Sequence, residues 1–518
     1  MAGPVADGCL SARADLRLRE SGGLPGGGRR VARSRQRPRL PRVRTSRAFH
    51  PTHRAAPSLL PDVGAHFQRL ATRRNGARAR RGVRERLGAA PRSSSLMTAR
   101  TTRRRGALRF CIVTTAHVSN NPRVLKEADA LHEAGHLVRV VAYDSDPAAA
   151  ARDDVLMRTR DWRLQRVVVR PADPLLRVRW AVASVRHEAS RALFARGVRT
   201  AAVRDAAAAK HLWRMAAAAA SEPCDVVVAH HAPALPAAGR AARRLGARLV
   251  FDYEDIYVGN VTDDAAGRAE SDRIAAVELA WLPQCELLIA SSGPIADAIA
   301  ARYGVTRPTV VLNTFPLDWR DAAARDERVG DAPSFYWFSQ VIGPNRGLED
   351  AVAAVGRAGV PFQLHLRGVV RPEFRARLME IAEEHGVASS LHLHDLAPPA
   401  DLVALSANHD VGLALEPAWN ENSRLALSNK LLTYFVAGNA VIATDTPGQR
   451  SGLELAPGSG ILCAPNDVVA LTEAVRTLAT NRDALSAAKR CARQAAERRF
   501  SWEHDAATLV DALERTAA

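Results

Sequence analysis

The feature that most limits how this chain can fold is an alternation within residues 410–444. An apolar run of strand length, 410–416 (DVGLALE), is followed by a helical stripe of Leu431, Leu432, Phe435 and Val436. A second short apolar run, 440–444 (AVIAT), comes next. Ser428 is a favourable N-cap for that helix, and Gly438 stands where a C′ glycine stops one. This pattern predicts a β–α–β unit of parallel sheet, with the helix N-terminus aimed at the crevice beyond the strand ends. Lys430 lies in the first turn of the helix, where the dipole is already positive. A cation there is mildly unfavourable unless an anion is held between it and the free amides.

The same alternation runs through most of the chain. Residues 109–115 (RFCIVTT) read as a buried strand, Asn121-Pro122 opens a helix with proline at its first position, and 137–142 is a second strand. No G-x-G-x-x-G follows the first strand, so a dinucleotide fingerprint is absent. Residues 225–230 (DVVVAH) deliver His230 and His231 to a strand end. Residues 249–252 lead into an acidic loop containing Glu254 and Asp255, and 286–290 and 309–312 are further strands. A polar stretch, 318–331, has linker composition. A second series then begins with the strand 335–338 (FYWF) and the loop 339–346 (SQVIGPNR), followed by a strand at 362–366, a helix over 373–385 and a strand at 391–394. Two successive series joined by a polar linker predict an α/β protein of two Rossmann-like domains facing one cleft. The expected divisions are an extension over 1–106, a first domain over 107–317, a linker over 318–333, a second domain over 334–495 and a terminal helix over 496–518.

The formal charge of +19 points towards nucleic acid until it is located. Residues 1–106 hold 26 arginines, no lysine and 5 acidic residues, which leaves 47 basic against 49 acidic residues in the remainder. The excess therefore belongs to an extension rich in Gly and Pro and without apolar period, expected to be disordered. It is expected to be translated upstream sequence, with Met97 as initiator; the alternative is a basic arm for nucleic acid or anionic lipid. Arg29-Arg30 is followed by no apolar core, so a secretory signal fails. Six scattered cysteines without a C-x-x-C pair fit a reducing cytosol rather than a disulfide framework. No apolar run reaches spanning length. Residues 174–221 read as one or two long basic amphipathic helices, with Arg177, Arg179, Arg186 and Arg214 interleaved with Leu175, Trp180 and Trp213. A solvated face is one reading and peripheral contact with anionic membrane is the other.

Several stretches, in order, resemble the large retaining family of GT-B glycosyltransferases that use nucleotide-sugar donors. They are NNPRVLKEADALHEAGHLVRVV, CDVVVAHHAPALPAAG, WLPQCELLIASSGPIADAIAARYG, IGPNRGLEDAVAA, SNKLLTYFVAGNAVIATDTPG and RRFSWEHDAATLV. The resemblance covers about residues 108–518. It implies transfer of a sugar from a nucleoside diphosphate to a glycan or lipid-linked acceptor, in the cytosol or on the inner membrane face. Catalysis of that kind needs fixed positive charge at the leaving phosphates. Arg346 and Lys430 would supply it, with Gly343 and Gly347 letting the loop pass close. His231, in His-Ala-Pro, would reach the donor sugar. Ser339, Gln340, Ser428, Asn429 and Thr433 would line the donor site, and Asn121, Glu254 and Asp255 would face the acceptor. Glu421 and Asn422 are weaker candidates for sugar contact, and Thr446, Pro447 and Gly448 would form a loop near the nucleotide. No metal and no other cofactor is expected, because the two cations and the helix dipole replace the metal. Three positions depart from the family pattern: Gln340 stands where an arginine is frequent, Thr433 where a glutamate is common, and Glu254 where a histidine is usual. A nucleotide-sugar epimerase of the same fold is one alternative, and a non-catalytic sugar- or partner-binding relative, suggested by Gln340 and Thr433, is another.

Overall fold

The structure, a computed structural model, describes residues 106–322 and 329–517. The arginine-rich extension, Met97 included, lies outside the described residues, as does part of the expected linker. The first lobe is built on seven parallel strands: β1 (Arg109–Thr114), β2 (Leu137–Asp144), β3 (Arg163–Val168), β4 (Val226–His230), β5 (Arg248–Tyr253), β6 (Leu287–Ala290) and β7 (Thr309–Val310). Their order is β3-β2-β1-β4-β5-β6-β7. The second lobe has six: β8 (Ser334–Ile342), β9 (Gln363–Val370), β10 (Leu391–His394), β11 (Val411–Ala414), β12 (Ala440–Thr444) and β13 (Gly460–Cys463), in the order β10-β9-β8-β11-β12-β13.

Every ladder is parallel. Strands such as Phe110–Val113 and Val226–Ala229 are apolar at every residue because helices cover both faces. In each sheet the strand order reverses once, between β1 and β4 and between β8 and β11. Those two points are where open sheets of this kind leave a crevice for ligands. This is the expected pair of Rossmann-like domains.

The final helix, Trp502–Thr516, does not pack on the second sheet that precedes it. Leu509 and Leu513 are buried with Phe110, Ile112 and Val124 of the first lobe, and His136 contacts Glu514 at 3.0 Å.

Several local expectations are corrected. β8 runs on to Ile342 with an irregularity between Phe338 and Val341, so Ser339 and Gln340 lie in a strand rather than a loop. Gly368 (φ 148°) faces that bulge, and a Cβ there would come within 2.5 Å of the Ser339 carbonyl oxygen. Residues 174–221 form three helices, Pro174–Ala195, Ala201–Ala208 and Leu212–Ala219, the first ending at Gly197 (φ 90°). β3 and the helices Pro147–Met157 and Ala265–Trp281 have no counterpart in the sequence reading. β3 carries three charged or amide side chains in six residues, and the two helices are rich in alanine and charge, so apolar period was too weak to mark them.

Candidate functional site

In the second lobe, helix Asn429–Ala437 is held against β11 by a tight fit. Gly412 has no side chain, and a Cβ there would lie 2.2 Å from the Tyr434 ring. The Tyr434 hydroxyl sits 3.1 Å from the carbonyl oxygens of both Tyr336 and Leu413. The Ser428 hydroxyl accepts from the Lys430 amide at 3.2 Å, and Gly438 closes the helix at φ 77°. The Lys430 ammonium is thereby placed at the carboxyl edge of the sheet, 5.2 Å from the centre of the Trp337 ring and 6.0 Å from that of Phe338. It forms an ion pair with Glu416, two residues past β11. The Arg346 guanidinium donates to the Ser339 hydroxyl at 3.3 Å and has no carboxylate partner among the described residues. The two cations thus converge on 337–339 of β8, at the switch point of the sheet.

Glu416 carries no assignment in the sequence reading. Its second carboxylate oxygen is buried and accepts no hydrogen bond among the described residues. An acidic residue two places past a strand, with a lysine in the first turn of the helix leading to the next strand, is the signal that marks it.

Other expected donor residues have different duties. Thr433 is buried, and its hydroxyl donates to the Asn429 carbonyl oxygen at 2.8 Å, so it faces its own helix rather than a ligand. Gly347 is required, but by φ 70° and by Leu415, whose carbonyl oxygen would lie 2.7 Å from a Cβ there. At Gly343 a Cβ would meet only Val341 at 3.5 Å, so no close approach demands the glycine. The Asn429 side-chain oxygen accepts from Asn313 across the lobes at 3.2 Å. Gln340 is exposed. Thr446 caps helix Pro447–Glu454 through the Gln449 amide, and Gly448 is needed because Ala426 passes against it, which is packing and turn chemistry.

At the first lobe's switch point the two adjacent histidines separate. His230 is fully buried, with its ring nitrogens 2.8 Å from Glu127 and 2.9 Å from Glu254. Burial alone would lower its pKa, but the two carboxylates outweigh burial and push it up to about 10. His231 is partly exposed, with its Nε2 3.7 Å from Glu254, on a strained backbone (φ 70°, ψ 138°) that few residues with a side chain adopt. Its Nδ1 lies 3.4 Å from the Thr114 hydroxyl, and its Nε2 lies 3.4 Å from the Asn121 amide. Burial lowers its pKa despite nearby Glu254, so the ring is neutral at pH 7.

The acceptor-side candidates are engaged inside the protein. Glu254 accepts from the Asn121 side-chain amide at 2.8 Å and bears on His230; burial raises its pKa, but His230 prevails and holds it at about 2. Asn121 also caps the helix Pro122–Glu133. Asp255 accepts from Asn422 of the second lobe at 2.9 Å, so the pair joins the lobes instead of facing an acceptor. Glu421 pairs with Arg302 and packs where a Gly259 side chain would stand. These contacts, with Ser292 donating to the Leu425 carbonyl oxygen at 2.9 Å, bring the carboxyl edges of the two sheets together.

Glu127, His230 and Asp252 place ligand atoms within 4.8 Å of one another, close enough to share an ion. Asp252, however, receives two bonds from buried Arg123, at 2.7 and 3.0 Å. A protonated His230 has no lone pair to offer a metal. Arg123 and His230 already neutralise most of the carboxylate charge, so the residues present fit a closed ionic network better than a metal site.

Comparison with known proteins adds three observations. Residues 122–319, most of the first lobe, match the family model Glycosyltransferase Family 4. A search of curated proteins finds no match. Among solved structures the chain is similar to a sucrose-phosphate synthase from Thermosynechococcus elongatus, at 16% identity and a TM-score of 0.56, covering 79% of this chain and 98% of that one. It is similar to Anabaena HepE in complex with UDP, at 13% identity and 0.55, covering 79% and 100%. It is also similar to a glycosyltransferase from Rickettsia africae, at 13% identity and 0.54, covering 80% and 98%. At these identities the likeness establishes a shared fold.

Proposed function

Taking the chain as a family-4-like glycosyltransferase of the GT-B fold, we propose that it moves a sugar from a nucleoside-diphosphate donor to a glycan or lipid-linked acceptor, with retention at the anomeric carbon. The observation that carries this reading is the convergence of Arg346 and Lys430 on one short piece of β8 at the switch point of the second sheet. Two fixed cations there oppose the charge that grows on a diphosphate as the sugar–phosphate bond breaks. Before the donor arrives, Glu416 neutralises Lys430. With the diphosphate in place Lys430 would turn to it, and Glu416, with one oxygen already unpartnered, would accept from a donor hydroxyl. That assigns Glu416 the acceptor role that Thr433 cannot fill. His231, partly exposed at the edge of the buried network, would hydrogen-bond the sugar from the first lobe. HepE, of the same fold, binds UDP, which makes a uridine nucleotide the first to try. No metal is needed in this scheme, and the enzyme would act in the cytosol, at the inner face of the membrane when the acceptor is a lipid.

Thermal-shift measurements with uridine, guanosine and adenosine diphosphates test it. A nucleotide at a hundred times its Kd stabilises the protein by about 2.7 kcal/mol. The expected result is a shift with one base that Lys430→Ala removes; no shift with any nucleotide overturns the reading. Product analysis with donor alone separates transfer from epimerisation.

A further inference from the structure

The helix Pro174–Ala195 buries only Ala183, Ser190 and Phe194 of its 22 residues, and none of its first nine. A helix gains most of its stability by covering an apolar face, and this one leaves that face open. Leu175, Val178, Val182 and Val185 recur every three or four residues, so they form one stripe, and all four are more than half exposed. Trp180 and Trp213 are exposed beside it at 40% and 38%. Beside the stripe a groove of about 300 Å³ opens towards the helix Leu212–Ala219. Val178, Val182 and Trp213 form its apolar wall, and Arg179, Arg186 and Arg214 line it. None of these three arginines has a carboxylate partner among the described residues, whereas Arg109, Arg123, Arg160 and Arg170 of the same lobe each pair with an aspartate. Across 174–220 there are nine basic residues against two acidic, and one of the two, Asp205, is buried and bonded to Arg204 and Arg240.

We propose that this face is a docking surface for an anionic phospholipid bilayer. The valine and leucine stripe and the two tryptophans would enter the interface, and a headgroup phosphate would sit in the groove of Arg179, Arg186 and Arg214. The proposal deepens the reading of a transferase working on a lipid-linked acceptor, but its ligand site is separate from Arg346 and Lys430. Charge selects the occupant. A second copy docked symmetrically through the same stripe would bring its arginines against these, whereas anionic headgroups supply the missing counter-charge. An exposed apolar stripe flanked by arginine is also the composition that lies in a membrane interface.

The test is co-sedimentation of the full chain with vesicles of phosphatidylcholine alone or with one third phosphatidylglycerol, together with size-exclusion chromatography. The expected result is binding to the anionic vesicles only. Each arginine near such a surface contributes about fivefold in partition, so R179Q/R186Q/R214Q should lose about a hundredfold. Val182→Asp should also weaken binding. Because Arg179, Val182 and Arg186 are exposed and Arg214 is half-buried without a carboxylate partner among the described residues, the variants should keep the thermal midpoint of the parent and its shift with nucleotide, which separates this outcome from failure of the donor site. Equal binding to both vesicle types, no binding to either, or undiminished binding by the triple variant overturns the proposal. So does competition by millimolar inorganic phosphate that removes all vesicle binding, which would mark a site for free phosphate. A dimer that Val182→Asp dissociates, with vesicle binding unchanged, assigns the stripe to a second copy and overturns it too.

Discussion

Two neighbouring histidines with opposite fates show how residue chemistry is decided here. His230 and His231 differ by one step along the chain, and with the positive φ at His231 its ring leaves Glu127 to His230 and stays at the edge of the network, 3.7 Å from Glu254. The strained backbone is of the kind that persists where surroundings over-determine it, and it places a neutral imidazole beside Thr114 and Asn121. If that ring holds the donor sugar, His231→Ala should lower kcat/KM by roughly a hundredfold, the usual scale for one well-placed donor or acceptor, with little change in thermal midpoint. Its lowered pKa means that protonation waits for more acid conditions than for a free histidine. The acid limb of the pH–rate profile should therefore fall below the ordinary histidine range, near 6.5, and be absent in the variant. An acid limb at or above that range would remove His231 from the role.

At the level of elements, the helix Asn429–Ala437 is positioned from its buried face, not from its charged end. Gly412 lets the Tyr434 ring lie flat on β11, and the Tyr434 hydroxyl reaches two carbonyl oxygens of neighbouring strands. A methyl group at 412 would have to displace that ring. Overpacking of this kind costs about 1–3 kcal/mol. Gly412→Ala should therefore lower the unfolding midpoint and also weaken nucleotide binding, since moving the helix moves Lys430. Denaturant unfolding and nucleotide titration on one preparation check both; a variant that loses neither contradicts the account of how the helix is held.

On the scale of the whole molecule, the last helix makes the first lobe depend on the chain's end. Leu513 is fully buried in the core of the first sheet, more than 300 residues along the chain from β1. Leu513→Ala should cost about 2–5 kcal/mol, and by its location the loss should fall on the first lobe. Hydrogen exchange would report it as faster exchange in β1 and β2, with the second sheet unchanged; the reverse pattern would refute the placement. Two parallel sheets and the caps of the helix that bears Lys430 were legible from the residues alone, because apolar period, N-cap chemistry and a C′ glycine act over a few residues. The same patterns also sufficed to bring Arg346 and Lys430 to strand ends, since position in a β–α–β unit settles which edge a loop occupies. What those residues touch was settled by packing. Glu416 joined Lys430, Thr433 turned into its helix, Gly347 answered to Leu415, and Asp255 was taken by Asn422 of the other lobe. Thr433 found its partner one turn back in its own helix, where a threonine hydroxyl competes for a backbone carbonyl; the other pairings join separate segments, and a local pattern carries no record of them because the energy that selects a partner exists only once those segments are packed.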